Sequence, residues 1–130
     1  MRRTAQTDMT LPRILRETLV GLIRHDGSDL TSRQFAVFLL CYVDEGPHTV
    51  RGLAERTRLS KPAVSRVLDR LGALGFTRRV ADPADKRSVL IACTAEGFGL
   101  LRLVRDKLAD AARAARPEGA AEGEAAAEAG

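Results

Sequence analysis

The chain has 130 residues, 45% of them apolar and 4% aromatic, with 21 Lys and Arg against 17 Asp and Glu and a net charge of +4. That length suits one domain, and so few aromatics leave Leu, Val, Ile and Ala to fill one modest core. No apolar run is long enough to span a membrane, Met1-Arg2-Arg3 has no apolar stretch behind it to make a secretory signal, and the two cysteines, Cys41 and Cys93, suit a cytoplasmic chain with free thiols rather than a disulfide scaffold.

Residues 1–9 show no periodicity and read as a flexible lead-in. Thr10 is placed to cap a first helix, with Pro12 tolerated in its opening turn. Leu11, Leu15, Leu19 and Leu22, with Ile14 and Ile23 beside them, form one apolar stripe over about 11–25. The run His25-Asp26-Gly27-Ser28 breaks it. Thr31 and Gln34 have capping-box spacing, and Phe35, Phe38, Leu39 and Tyr42 mark a second helix that Gly46-Pro47 should end. Thr49 can cap a short third helix containing Leu53 and Ala54. A tight connection, Thr57-Arg58-Leu59, leads to a fourth, with Ser60 as cap and Pro62 in the first turn. Its inner face is Val64, Val67, Leu68 and Leu71, and Gly75 is suited to stop it.

Thr77–Val80 and Ser88–Ala92 are short and β-prone, separated by the polar, turn-forming run Ala81–Arg87, which predicts a hairpin with a charged tip. Thr94 then caps a fifth, long helix over about 94–116. Leu101, Val104, Leu108, Ala111 and Ala115 make a heptad-like seam along it that packs on the domain or on another chain. Residues 118–130 contain only Ala, Glu and Gly, so 117–130 reads as a disordered acidic tail. The predicted fold is mainly α with a small β element (α+β). It is a winged helix-turn-helix lobe over about 31–93, with a two-stranded wing and flanking dimerisation helices, the whole domain covering 10–116.

The charge is unevenly placed. All 21 bases precede Pro117, where 13 acids oppose them, a balance of +8; within Thr49–Arg87 ten bases face four acids. A polyanion partner and an ordinary solvated surface both fit that count. Position adds more. In a helix-turn-helix the second helix of the pair enters the major groove, N-terminal residues first. With the apolar stripe inward, Lys61, Pro62, Ser65, Arg66 and Asp69 remain near the outer face, and Arg70 follows. Arg66 suits a bidentate contact to guanine, Lys61 a base or phosphate, and Ser65 several bases. Pro62 and Ala63 suit a thymine methyl. The helix starts at Ser60 and at Thr49–Arg51 offer free N–H groups to phosphates. Arg78 and Arg79 adjoin the wing's first strand, and Lys86 and Arg87 sit at its tip, where an arginine can enter a minor groove. Asp85 is expected to orient the Arg87 side chain; the plainer reading is an exposed ion pair.

These residues resemble the MarR family of bacterial transcription regulators. The similarity runs from about Leu30 to Leu108. It is carried by Leu30–Gln34, Leu53-Ala54-Glu55, Ser60–Arg66, Leu71–Phe76, Arg78-Arg79, Asp82–Ser88 and Thr94–Gly97. The Asp-Lys-Arg-Ser run of the wing is the most specific piece. The resemblance implies a homodimer on a pseudo-palindromic double-stranded DNA operator, and the apolar stripes, Leu11, Leu15, Leu19 and Leu22 with Leu101, Val104, Leu108 and Ala111, are the surfaces expected to hold it. It also implies a repressor released by a small aromatic or anionic effector, and a cytoplasmic, nucleoid-associated location. Members of the family usually carry a further helix after the fifth. Here Pro117 and the acidic tail stand in its place, so dimerisation is expected to rest on the first helix and the fifth-helix seam. Some members sense oxidation through cysteine, but Cys41 lies in an apolar stretch and Cys93 follows a strand, which suits packing.

Two other classes fit less well. The histidines, His25 and His48, lack zinc spacing, and no phosphate loop or nucleophile motif is present, so no enzyme activity, metal or cofactor is expected. A winged helix used as a protein-interaction module would not need basic residues on both the fourth helix and the wing.

Overall fold

The fold is that of a computed structural model, which describes residues 8–25 and 29–115. In order come α1 (Thr10–Arg24), α2 (Ser32–Val43), α3 (Val50–Thr57), α4 (Lys61–Ala73), β1 (Thr77–Ala81), β2 (Val89–Cys93) and α5 (Ala95–Ala115). This is the mainly α winged helix-turn-helix predicted above. Most of the lead-in, residues 26–28 of the expected helix break and the acidic tail lie outside the described residues. The chain divides into two compact units, residues 28–102 and residues 1–27 with 103–130.

In the first unit, local chemistry sets where helices begin. The Thr31 hydroxyl accepts from the Gln34 N–H while the Gln34 side chain accepts from the Thr31 N–H, so the capping box is complete. Thr49 accepts from Gly52 N–H (3.0 Å), Ser60 from Ala63 N–H (3.2 Å) and Thr94 from Gly97 N–H (2.9 Å). Each such cap satisfies a donor that the helix itself cannot, and contributes about 1 kcal/mol. α2 stops at Val43, before the Gly46-Pro47 expected to end it, because the backbone is already extended at Asp44.

The turn between α3 and α4 is built on Arg58, which takes the left-handed conformation (φ 59°). The Thr57 hydroxyl supports it, donating to the Leu53 carbonyl and accepting from Leu59 N–H. Gly75, just past the C-cap Leu74, stops α4, and its φ of 80° favours glycine. The Phe76 N–H then reaches back to the Leu71 carbonyl (2.9 Å), which closes the helix C-terminus.

The core of this unit joins Val37, Phe38 and Cys41 of α2, Leu53 and Ala54 of α3, Ile91 of β2 and the whole inner stripe of α4: Val64, Val67, Leu68 and Leu71. β1 and β2 pair antiparallel, from Thr77 opposite Cys93 to Ala81 opposite Val89. The loop before α3 joins them at one point, where Ile91 N–H donates to the His48 carbonyl (2.9 Å).

One side chain ties three elements together. The Tyr42 hydroxyl donates to the Phe76 carbonyl (2.7 Å) and accepts from Thr94 N–H (2.9 Å), and the Thr94 hydroxyl donates to the Gly75 carbonyl (2.6 Å). Gly97 passes directly over the phenol, so close that a Cβ there would overlap the Tyr42 hydroxyl and the Phe76 carbonyl.

In the second unit, the start of α1 differs from expectation. Thr10 lies inside the helix rather than capping it, and Met9 in the cap position makes no side-chain bond. The Asp8 carboxylate does that work instead, accepting from the Thr10 N–H (2.8 Å) and hydroxyl (2.6 Å). An anion just before a helix N-terminus satisfies the free donors and complements the helix dipole. Thr18 of α1 is buried, its hydroxyl turned back onto the Ile14 carbonyl.

Gly97→Ala should destabilise the fold by about 3 kcal/mol through overpacking against the Tyr42 phenol and the Phe76 carbonyl. Urea denaturation checks this; an unchanged midpoint would refute the close approach.

Candidate nucleic-acid interface

α4 presents its outer face as the sequence predicts for most positions. Ser60, Lys61, Pro62, Arg66 and Arg70 are exposed, and Ser65 is half-buried. Ala63 is the exception: at 9% exposure it belongs to the inner side with Val64. Residue 63 sits four positions before the stripe residue Val67, one turn earlier on the same face of the helix, so it turns inward with it. Thr49 is half-buried at the start of α3, and the exposed Arg51 pairs with Glu55 one turn on (3.4 Å).

The strand alternation separates the two wing arginines. Arg79 stands opposite Ile91, a core residue, and Arg78 opposite Ala92. Neighbouring side chains on a strand point to opposite faces, so Arg79 turns towards α4. Its guanidinium donates to the Asp69 carboxylate (2.7 Å), the Ser65 carbonyl (3.1 Å) and the Ser65 hydroxyl (3.1 Å). Arg78 is exposed on the other face. Both arginines adjoin the same strand, and period-two alternation is the sequence signal that separates them.

Asp85 also acts differently from expectation. Its carboxylate accepts from the backbone N–H of Arg87 (3.0 Å) and from the Ser88 hydroxyl (3.3 Å), not from the Arg87 guanidinium. Asp82 does the same for Ala84 N–H (2.9 Å), and Ser88 N–H donates to the Asp85 carbonyl (2.9 Å). The two aspartates fold the tip as consecutive Asx turns. The carboxylates thereby fix the loop backbone and leave Lys86 and Arg87 extended into solvent. Among the described residues, no carboxylate forms a salt bridge with Lys61, Arg66, Arg70, Arg78, Lys86 or Arg87.

The candidate dimer residues fall into two groups. Leu11 (76% exposed), Leu15 (58%), Leu19 and Leu108 lie open, with Leu22 and Leu101 half-buried. Val104 and Ala111 are buried within the chain. Among the described residues, no cluster of His, Cys, Asp and Glu could hold a metal ion, and no helix is long and apolar enough to cross a membrane.

A capped helix packed by one stripe, followed at its end by a hairpin with a basic tip, defines a winged helix-turn-helix. Residues 28–88 match the model of the MarR family. The chain is 33% identical over 82 residues to an uncharacterized HTH-type transcriptional regulator of Mycobacterium bovis, a match covering 63% of this chain and 57% of that protein. It thus spans little more than half the length of such curated relatives. Among solved structures, it is similar to the transcriptional regulator Tm0710 from Thermotoga maritima (26% identity, TM-score 0.63, 79% of this chain and 75% of that one). It has the fold of a Staphylococcus aureus MepR variant bound to an oligodeoxyribonucleotide (20% identity, TM-score 0.69, 93% and 88%). Over residues 28–88 the chain is similar to the MarR family.

Neither cysteine has the environment of a reactive thiol. Burial pushes the Cys41 thiol up to about 12, with Cys93 adding to the effect, and burial raises Cys93 as well. The Cys93 thiol donates to the Cys41 carbonyl (3.5 Å). A group with a raised folded-state pKa contributes stability that is present below its unfolded value, near 9, and lost as pH rises towards 12. Cys41 should therefore resist iodoacetamide at pH 7.5 in the folded protein and react fully in denaturant, and Cys41→Ala should flatten the fall in stability between pH 9 and about 12. Mass spectrometry and denaturation at each pH check both; rapid native labelling of Cys41 would refute them.

Proposed function

We propose that the chain is a sequence-specific DNA-binding transcription regulator, a repressor that works as a homodimer on a pseudo-palindromic operator and is released by a small aromatic or anionic effector. One observation carries this reading. Lys61 and Arg66 on the outer face of α4, and Lys86 and Arg87 at the wing tip, are exposed and make no salt bridge to any described residue. Two separate basic elements suit a duplex, the helix in its major groove and the tip in the adjoining minor groove. The MepR variant of the same fold, seen with an oligodeoxyribonucleotide, supports the same use.

In this reading Arg66 reads guanine, and Lys61, Ser65 and Pro62 meet neighbouring bases. The starts of α3 and α4, at Thr49–Arg51 and Ser60, contact phosphates. Arg70 and Arg78 add backbone contacts, Lys86 and Arg87 enter the minor groove, and Asp85 shapes the loop that presents them. The open leucines of α1, with Leu108, supply the apolar surface for a second copy; a role on the chromosome also sets the chain in the cytoplasm, at the nucleoid. The seat we assign to an effector is an open groove of about 620 Å³ lined by Leu39, Leu40, Val43 and Leu59, with Arg33, Arg56 and Asp44 beside them. The leucines suit an apolar body, and the two arginines outnumber the one carboxylate in favour of a negative charge. The groove borders the turn that leads into α4.

Gel-shift titration with duplexes selected from a random library tests the reading. Affinity should fall steeply with salt as counterions are displaced. Arg66→Ala should cost about 1–3 kcal/mol on the selected site and far less on random duplex. Equal loss on both, or failure to enrich any sequence, would sink it in favour of a protein-interaction module.

Light scattering should show a dimer at micromolar concentration, and Leu11→Glu with Leu15→Glu should give a folded monomer. A monomeric wild-type chain would refute the homodimer.

A further inference from the structure

We infer that Arg79 is a positioning residue of the DNA-reading surface: it locks the wing to α4 through Asp69 and Ser65 and leaves DNA contact to others. The inference rests on the DNA-binding reading above and names one determinant of its specificity. Three observations carry it.

The first is geometry. All three bonds from the Arg79 guanidinium end on one turn of α4, at the Asp69 carboxylate (2.7 Å) and the Ser65 carbonyl and hydroxyl (3.1 Å each). A planar fork holding two points one helical turn apart fixes orientation in a way a lysine's single ammonium cannot. The second is location. Arg79 lies at the middle of β1, so the bond grips the wing between its base at Thr77 and its tip beyond Ala81. The lock therefore sets the angle between the helix that carries Arg66 and the loop that carries Arg87. A duplex presents its major and minor grooves at a fixed offset, so that angle decides whether both elements can engage at once.

The third is charge. Asp69 is the one carboxylate among residues 60–73, and it would repel phosphate if left free. Arg79 neutralises it. The Ser65 hydroxyl, accepting from Arg79, keeps its proton to donate to a base.

The pair is exposed enough, at 38% for Arg79 and 65% for Asp69, that its removal should hardly move the melting temperature. Its effect should appear in recognition. The experiment compares wild type, Arg79→Ala, Arg79→Lys and Asp69→Asn on a duplex selected by the wild-type chain and on random duplex. A lock predicts that all three variants lose affinity for the selected site, by about tenfold for Arg79→Ala and Asp69→Asn. Binding to random duplex should stay nearly unchanged. Hydroxyl-radical protection of the minor groove under the wing should weaken, while guanine N7 protection under α4 persists.

A direct phosphate contact by Arg79 predicts the opposite for Asp69→Asn. Removing an acid and freeing an arginine would then tighten binding to both duplexes. That result, or unchanged discrimination in all three variants, would overturn the inference. Failure of the wild-type chain to select any sequence would instead overturn the DNA-binding reading, and the lock with it.

Discussion

The base of the wing hangs on the phenol of Tyr42. β1 begins one residue after Phe76 and β2 ends one residue before Thr94, and Tyr42 bonds the backbone of both. A hairpin of two five-residue strands is marginal alone, so its stem must be held from outside. The hydroxyl reaches the stem from α2, and the ring is fixed by Phe38 (4.6 Å between centroids) and Phe98 (5.0 Å). Thr94 extends the same knot, bonding Gly75 at the end of α4 while it caps α5. The end of α4, the root of the wing and the start of α5 are thus held at one point. The close pass of Gly97 is the consequence: a side chain there has nowhere to go.

Features carried by neighbours in the chain were legible in the sequence. The caps at Thr31, Thr49, Ser60 and Thr94 act over three residues, and the inner stripe of α4 needs only the helical period. Thr10 does not cap α1 because a second good capping residue competes, and Asp8 brings a full charge where Thr10 brings a hydroxyl. Asp85 departs from the sequence expectation for a related reason. An aspartate two residues before an arginine can bond its guanidinium or its N–H, and the N–H bond closes a turn without ordering a long side chain. Tyr42 and Arg79 were out of reach of any local rule. Their partners lie 34, 52, 10 and 14 residues away, and only the packed fold brings them together. Tyr42 could be read as a core aromatic but not as the hydroxyl that roots the wing.

This separation between local and distant interactions also divides the basic residues by task. A composition count treats Arg51, Arg66, Arg79 and Arg87 alike. Arg79 is held by Asp69 and Ser65, and Arg51 makes a well-exposed pair with Glu55, whereas among the described residues Arg66 and Arg87 pair with no carboxylate. An arginine whose donors are already bonded has fewer left for a phosphate, so equal charge does not mean equal availability. The freest basic groups are therefore those on the outer face of α4 and at the wing tip.

The apolar residues divide in the same manner. The seam along α5 reads as one heptad-like row, but Val104 and Ala111 are buried while Leu108 is 42% exposed. The first two are satisfied inside the chain. On α1, by contrast, Leu11, Leu15, Leu19 and Ile23 all remain open, on a helix whose one buried residue is Thr18. An amphipathic helix gains most of its stability from packing its apolar face, and among the described residues this row of side chains on α1 stays open. A surface that covered the row would add to the stability of α1, whereas residues 28–102 carry their own core.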